Sequence, residues 1–397
     1  MPTPSPTTTL NKLRLIVFIQ WMGATIGLPL LPLFLRQHGA NPAMVGIVMA
    51  SFFVAGLLTQ FILGHASDRF GRRPILIGGL AAYGFASLLY VAPLSAPWFA
   101  IARAIQGAGA GAIEVASLAA VAAIFSEVER GRAMSKIIAA QLLGFALGPL
   151  IGSTFDVSHI RFAFLIAGMA SSIAAIFTLQ SDLGDRFTHS DPLPPLQWTR
   201  QMVGAIISAV TTGLMIGVYE TCWTMLMHAH HASTLQIRLS WTMFCLPWVL
   251  LSPVGGWLAD HGPRRIIAII GVVNGAGFLA LYPHIHSNVA LLFLGSCESV
   301  FTSLSVPSVS SLLTQGAGTR EMGRRQGVST TANTAALAAS AGVAGSLFAF
   351  NEALPFTLIA VIALLCSISL FWFWGDAASG RVSPHLRITT KRTSGSR

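Results

Sequence analysis

Apolar runs of about twenty residues follow one another along almost the whole chain, and this leaves few folds open. They lie near 13–35, 43–64, 74–92, 97–122, 134–156, 161–180, 200–226, 235–257, 265–283, 288–312, 325–348 and 353–374. Runs of this length read as membrane-crossing helices, because a helix satisfies its own backbone hydrogen bonds in hydrocarbon. The pattern predicts an all-α membrane protein with twelve transmembrane helices. Charge agrees with it. Only 10% of residues are charged and 53% are hydrophobic, whereas a soluble domain carries about 25% charged residues. The net charge of +10 does not point to nucleic acid, since Lys and Arg are scattered over short loops and the C-terminal tail without aromatic stacking partners. The lipid bilayer is the expected environment, and no nucleic-acid partner is expected.

The longest break, 181–199, holds Asp182, Asp185, Arg186, His189, Asp191 and three prolines. It reads as a central linker between two six-helix bundles, 13–180 and 200–374. Residues 1–12, rich in Pro, Thr and Ser, are expected to be disordered, and 375–397 forms a basic tail. The first apolar run is too long for a cleaved signal segment and is read as the first span. A charged island, Gly64-His-Ala-Ser-Asp68-Arg69-Phe-Gly71-Arg72-Arg73, separates spans two and three. Its Gly, Asp and terminal arginines return at Gly256, Asp260, Arg264 and Arg265, 192 residues later. Glu129-Arg-Gly-Arg132 and Glu321-Met-Gly-Arg324 repeat at the same offset. Two loops sharing one offset indicate a duplicated six-helix unit, a plan that places a transport site at the midplane between halves.

Of the 24 Lys and Arg residues, only Arg36, Arg161 and Arg238 fall on the side away from the termini, and Arg103 falls within a span. The positive-inside rule therefore predicts a cell-membrane protein with both termini cytoplasmic, in the inner membrane if the source is a Gram-negative bacterium. His38, His228, His230, His231, His284 and His286 fall on the outer side and read as solvated loop residues, with a metal or pH-sensing cluster as the alternative. Cys222, Cys245, Cys297 and Cys366 are isolated within spans and form neither a disulfide framework nor a metal site.

Polar residues inside spans are costly and mark function. Arg103, Gln106, Ala110 and Glu114 share one face of the fourth span. Glu220 and Glu298 lie in spans seven and ten, with Glu298 192 residues beyond Gln106. Burial disfavours the charged form of a carboxyl group, so each of the three acids is a candidate proton or cation site. Tyr219, Trp223, Trp241, Phe244 and Trp248 stand near them and are candidates to line an apolar or cation–π pocket. Each could equally be a lipid or interface anchor. In span five, Gly144-x-x-x-Gly148-Pro149-x-x-Gly152 makes a smooth groove with a proline bend. The string Gly107-x-Gly109-x-Gly111 follows no strand and sits in a span, so it is not a nucleotide loop.

These motifs resemble the major facilitator superfamily, and within it the twelve-span drug/proton antiporters. The charged island is similar to that family's loop between spans two and three. Ala66 and Ser67 depart from it in the first copy, His261 and Pro263 in the second. The resemblance implies a cytoplasmic gating latch at Gly64, Asp68, Arg69, Gly71, Arg72 and Arg73, and more weakly at Asp260 and Arg264. Arg103-x-x-Gln106-Gly107-x-Gly109 is similar to the span-four motif associated with proton coupling, of which Glu114 is not part. The Gly144–Gly152 pattern resembles the antiporter signature, though Ser153 replaces a usual glycine, and implies export. Gly27-Leu-Pro29-Leu-Leu-Pro32 in the first span is similar to the paired-proline segment of the same antiporters.

The expectation is a secondary transporter that exports small amphipathic or drug-like compounds in exchange for protons. It would use no cofactor beyond the proton gradient, bind no metal, perform no enzymatic reaction and act as a monomer. The alternative on the same fold is a proton-linked importer, or an exporter of a small metabolite such as a sugar. A non-transporting membrane receptor is the remaining alternative.

Overall fold

The computed structural model describes residues 6–125, 127–152, 155–179, 196 and 198–375. It excludes the side chains of 64–70, 127, 128, 130, 319 and 320. Most of the expected linker, and residues 376–397 of the tail, lie outside that range. Twelve helical spans fill it: α1 (Pro6–Gln37), α2 (Pro42–Phe70), α3 (Arg72–Leu89), α4 (Ala96–Ile124), α5 (Glu127–Gly152), α6 (Ile160–Leu179), α7 (Arg200–Ala229), α8 (Thr234–His261), α9 (Arg264–Leu281), α10 (Asn288–Thr314), α11 (Thr319–Phe350) and α12 (Leu354–Gly375). Eleven are long and apolar enough to cross a membrane by composition; α3, with eighteen residues and opening on Arg72-Arg73, is the twelfth. The expected disorder over 1–12 is corrected in part. Helix α1 begins at Pro6, because Thr9, Leu10 and Leu13 are buried in the bundle and fix the chain ahead of the apolar run.

Local chemistry sets the ends. Asn41 caps α2 by accepting from the Met44 N–H, with Pro42 in the first turn. Ser233 and Gln236 form a reciprocal capping box at α8. Gly71 adopts a φ of 83°, which glycine tolerates, and turns α2 into α3. Gly27 and Pro29 break α1 into a short 3-10 turn, Leu28–Leu30, before it resumes.

Helix pairing shows the duplication. In the first half α2 packs on α4, α1 on α5 and α6, and α3 on α4 and α6. In the second half α8 packs on α10, α7 on α11 and α12, and α9 on α10 and α12, which is the same set advanced by six helices. The halves meet through α2 against α11 and α5 against α8, two contacts that are images of each other.

An even number of crossings puts both chain ends on one face, here the terminal face; the opposite is the far face. Toward the far face one apolar core joins the halves, with Leu30, Leu31, Val45, Val48 and Met49 packed with Trp223, Leu226, Ala341 and Ala344. Glycines let the backbones close: a methyl at Gly46 would meet the Ala341 carbonyl, and one at Gly345 would overlap that of Pro42. Thr224 Oγ1 donates across the join to the Pro29 carbonyl at 2.7 Å. Toward the terminal face the core splits. One cluster, running from Leu10 to Ala174, belongs wholly to the first half, and another, from Met202 to Trp374, to the second. Among the described residues, buried apolar packing joins the halves toward the far face and stays within each half toward the terminal face.

Candidate functional site

Between the halves lies a cavity of about 320 Å³, walled by side chains of α1–α5, α7, α8 and α10, with Tyr282 from the turn after α9. Its walls are rich in aromatic side chains: Trp21, Phe52, Phe53 and Phe145 on one side, Trp223, Trp241, Phe244 and Trp248 on the other. Three charged residues interrupt them, Arg103 from the first half and Glu220 and Glu298 from the second.

The first-half wall is built by close packing of α4. Gly107 sits against the Phe52 carbonyl and Gly109 against Gly79 and Tyr83, so α4 nests between α2 and α3. That approach brings the Arg103 guanidinium 4.2 Å from the Phe52 ring centroid, a cation–π contact. Arg103 Nη1 donates to Gln106 Oε1 at 3.1 Å. Gln106 Nε2 donates to Ser87 Oγ at 3.0 Å, and Ser87 to the Tyr83 carbonyl at 2.8 Å. The cation is held on a relay that crosses to α3.

The second-half wall carries the acids. A π-turn over Tyr219–Trp223 interrupts α7 and sets Tyr219, Glu220 and Trp223 together on the cavity. Tyr219 donates to Glu298 Oε1 at 2.7 Å and Tyr282 to Oε2 at 2.6 Å, so each carboxyl oxygen has a hydroxyl donor. Glu220 differs. It is buried, its Oε2 has no hydrogen-bond partner among the described residues, and Arg103 of the opposite half lines the same cavity. Trp223 Nε1 donates to Ser240 Oγ at 2.8 Å, which fixes the indole between α7 and α8.

The structure thus gathers Arg103, Glu220, Glu298, Tyr219, Trp223, Trp241, Phe244 and Trp248 at one cavity. Gln106 stands behind Arg103 rather than on the wall. Glu114 is not at the cavity. It shares a helical face with Arg103, but three turns displace it along the axis to where α2 covers α4, and it accepts from Gln60 Nε2 at 3.0 Å. Sequence reasoning missed Tyr282, Trp21, Phe52, Phe53 and Phe145, which carry no charge and sit in apolar runs where a wall residue reads like a lipid-facing one.

Gly144, Gly148 and Gly152 lie against α1, at Phe18, Thr25 and Ile26, and Pro149 sits within the last turn of α5. In the charged island the side chains at Asp68 and Arg69, and position Gly64, lie outside the described set. Arg72 is buried. Arg73 donates to the Leu179 carbonyl at the end of α6, and its image Arg265 to the Trp374 carbonyl near the end of α12 at 2.9 Å. Both arginines therefore cap helix C-termini within their own half. Arg264 donates to the Ala259 carbonyl, and Asp260 is exposed. Among the described residues no group of three His, Cys, Asp or Glu side chains could hold a metal.

Twelve spans in two like halves, with a central cavity sealed on one face, define a membrane transporter. The chain belongs to the Major Facilitator Superfamily, whose model matches residues 13–195 and 202–391. It is similar to multidrug resistance protein 2 of Bacillus subtilis, 25% identical over 91% of this chain and 93% of that protein. It is also similar to a chloramphenicol resistance protein of Pseudomonas aeruginosa, 30% identical over 46% of this chain and 43% of that protein. The fold matches that of the human organic anion transporter MFSD10 (TETRAN) with a TM-score of 0.70 and 20% identity, covering 93% of this chain and all of that one.

Proposed function

We propose that this transporter exports small amphipathic, drug-like compounds in exchange for protons, by alternating access. The observation that carries the reading is the cavity: broad aromatic walls that suit varied apolar ligands, with buried carboxyls set among them. The antiporter-like Gly144–Gly152 pattern and the names of the two resistance relatives support export.

In this reading the terminal face is cytoplasmic, so the structure is the inward-facing state. Substrate enters between the parted halves, from the cytoplasm or the inner leaflet, and settles on the aromatic walls. The halves then rock to seal the terminal face and open the far face. A proton arriving from outside occupies Glu220 or Glu298 and displaces the substrate, and the return stroke carries that proton inward. Arg103 faces Glu220 across the cavity and neutralises its charge when the proton has left. The chain would work as a monomer within the cell membrane.

Inverted vesicles test this. Under an inside-acid gradient an exporter accumulates an amphipathic dye and an uncoupler abolishes the uptake. Glu220→Gln and Glu298→Gln should each lower gradient-driven uptake by about tenfold or more, each removing a proton site from the cycle. Dye driven out under the same gradient would identify a symporting importer instead. Unimpaired pH-driven transport in both variants would refute the assignment of the coupling acids.

A further inference from the structure

The sequence places Arg238 on the outer side, near the start of the eighth span, and the structure buries it completely. It lies in the second turn of α8, at the far-face contact with α5, and its Nε, Nη1 and Nη2 all lack a hydrogen-bond partner among the described residues. Its guanidinium rests on the bare backbone of Gly152, the last residue of α5. A methyl there would stand 2.7 Å from Arg238 Nη1 and would overlap the Ile26 carbonyl. Asp156, exposed just beyond α5, supplies the opposite charge that acts on it, without forming an ion pair. A cation removed from water without an acceptor destabilises whatever state buries it. Here that state is the one with the far face shut, in which the guanidinium of the second half lies against Gly152 of the first.

We propose that Arg238 is a counterweight to the far-face seal: its guanidinium loses its hydration when the halves close there and regains it when they part. The apolar contact of Leu30, Val45, Val48 and Met49 with Leu226, Ala341 and Ala344 favours closure. A charge buried in the same interface opposes it and keeps the two states close enough in free energy to exchange. Gly152, bare because α5 packs on the Ile26 carbonyl, also leaves the guanidinium its place against the α5 backbone. The inference rests on the alternating-access reading above, but on neither its proton coupling nor its cargo.

The test measures how often the far face opens. In full-length protein with its native cysteines replaced by alanine, Ala344→Cys places a thiol inside the seal, where Ala344 is 2% exposed. Its rate of modification by a polar thiol reagent applied to the far face reports the open population. Replacing Arg238 with methionine, similar in length but uncharged, should slow modification by about tenfold, because the cost of closure is gone. Asp156→Asn should speed it by about threefold in the arginine protein and leave it unchanged beside Arg238→Met, because the carboxylate acts only through the guanidinium. An unchanged or faster rate in Arg238→Met overturns the proposal, the faster one showing that Arg238 holds the halves together. Should that variant fail to fold, Asp156→Asn decides alone, and a rate equal to or below the parent's overturns it. The assay needs no substrate or gradient, so a failed counterweight and a failed exporter give separate results.

Discussion

The two halves line the cavity with image positions, 192 residues apart, that keep their apolar character at some pairs and differ in charge at others. Ala24 and Ile216, Leu28 and Glu220, Phe52 and Phe244, Phe53 and Cys245, and Arg103 and Gly295 all face it as pairs. Where the second half has the acid Glu220, the first has Leu28; where the first has the cation Arg103, the second has Gly295. Gln106, which stands behind the wall, is matched by Glu298, which stands on it. The duplication preserved where a side chain points, and divergence decided what charge it carries. The cavity is therefore polarised between its halves, with its cation on one and both acids on the other. A rocking motion that changes the gap between halves changes the attraction between Arg103 and Glu220 directly, which symmetric halves could not do.

The packing differs in the same paired way. Gly107 meets the Phe52 carbonyl with no side chain between them; its image Ser299 donates its hydroxyl to the image carbonyl, Phe244. Exchanging these residues should break the correspondence unequally. Gly107→Ser forces its Cβ into the Phe52 backbone and pushes α4 off α2, a loss at or above the usual overpacking cost of about 1–3 kcal/mol. Ser299→Gly loses one hydrogen bond and costs about 1 kcal/mol. Thermal unfolding of the two purified variants measures both, and equal losses would show that the first half is no more tightly packed than the second.

Charge placement gives the next effect. Arg103→Gly makes the first-half position like its image. It strips Glu220 of its facing charge and Gln106 of its donor while leaving the aromatic walls in place. Transport should fall by about a hundredfold, the scale of losing one buried charge interaction of roughly 3 kcal/mol. Dye binding, followed by quenching of the wall tryptophans, should change by less than about threefold, because the apolar contact area carries that affinity. A parallel collapse of binding would make Arg103 a ligand contact instead of a coupling residue.

The sequence shows the scaffold of this site better than its walls. Length and hydropathy locate all twelve spans, with ends up to seven residues off where a helix runs past its apolar run, because the demands of a bilayer on a helix are uniform along the chain. Arg103, Glu220 and Glu298 stand out because charge in a span is rare. Periodicity ranked Glu114 with them, since it gives the angle around a helix and says nothing of which neighbour covers that level; Gln60 does. For Arg238 the sequence gives the side of the membrane and the span, but not the burial, because the start of a span has the same composition whether it meets solvent or another helix; here it meets α5. Tyr282 could not be found at all, because its role depends on an acid sixteen residues away on the next span.

The smallest effect sharpens the contrast within the second half, where one acid is held by two hydroxyls and the other by none. Tyr282→Phe removes a single donor from Glu298, and Tyr219→Phe removes the other. A hydrogen bond to a charged group is worth about 1.5–3 kcal/mol, so each change should slow gradient-driven transport by roughly tenfold if the ionised carboxylate is the state being held. The pair should be coupled. With one tyrosine gone Glu298 is free to turn toward the other, so the double variant should differ from the sum of the singles by about 1 kcal/mol in a double-mutant cycle. In a Glu298→Gln background both tyrosine changes should become nearly silent. Strict additivity, or full effects without the carboxylate, would mean that the tyrosines act through the aromatic wall they share with Trp223 and that the clamp has no part in transport.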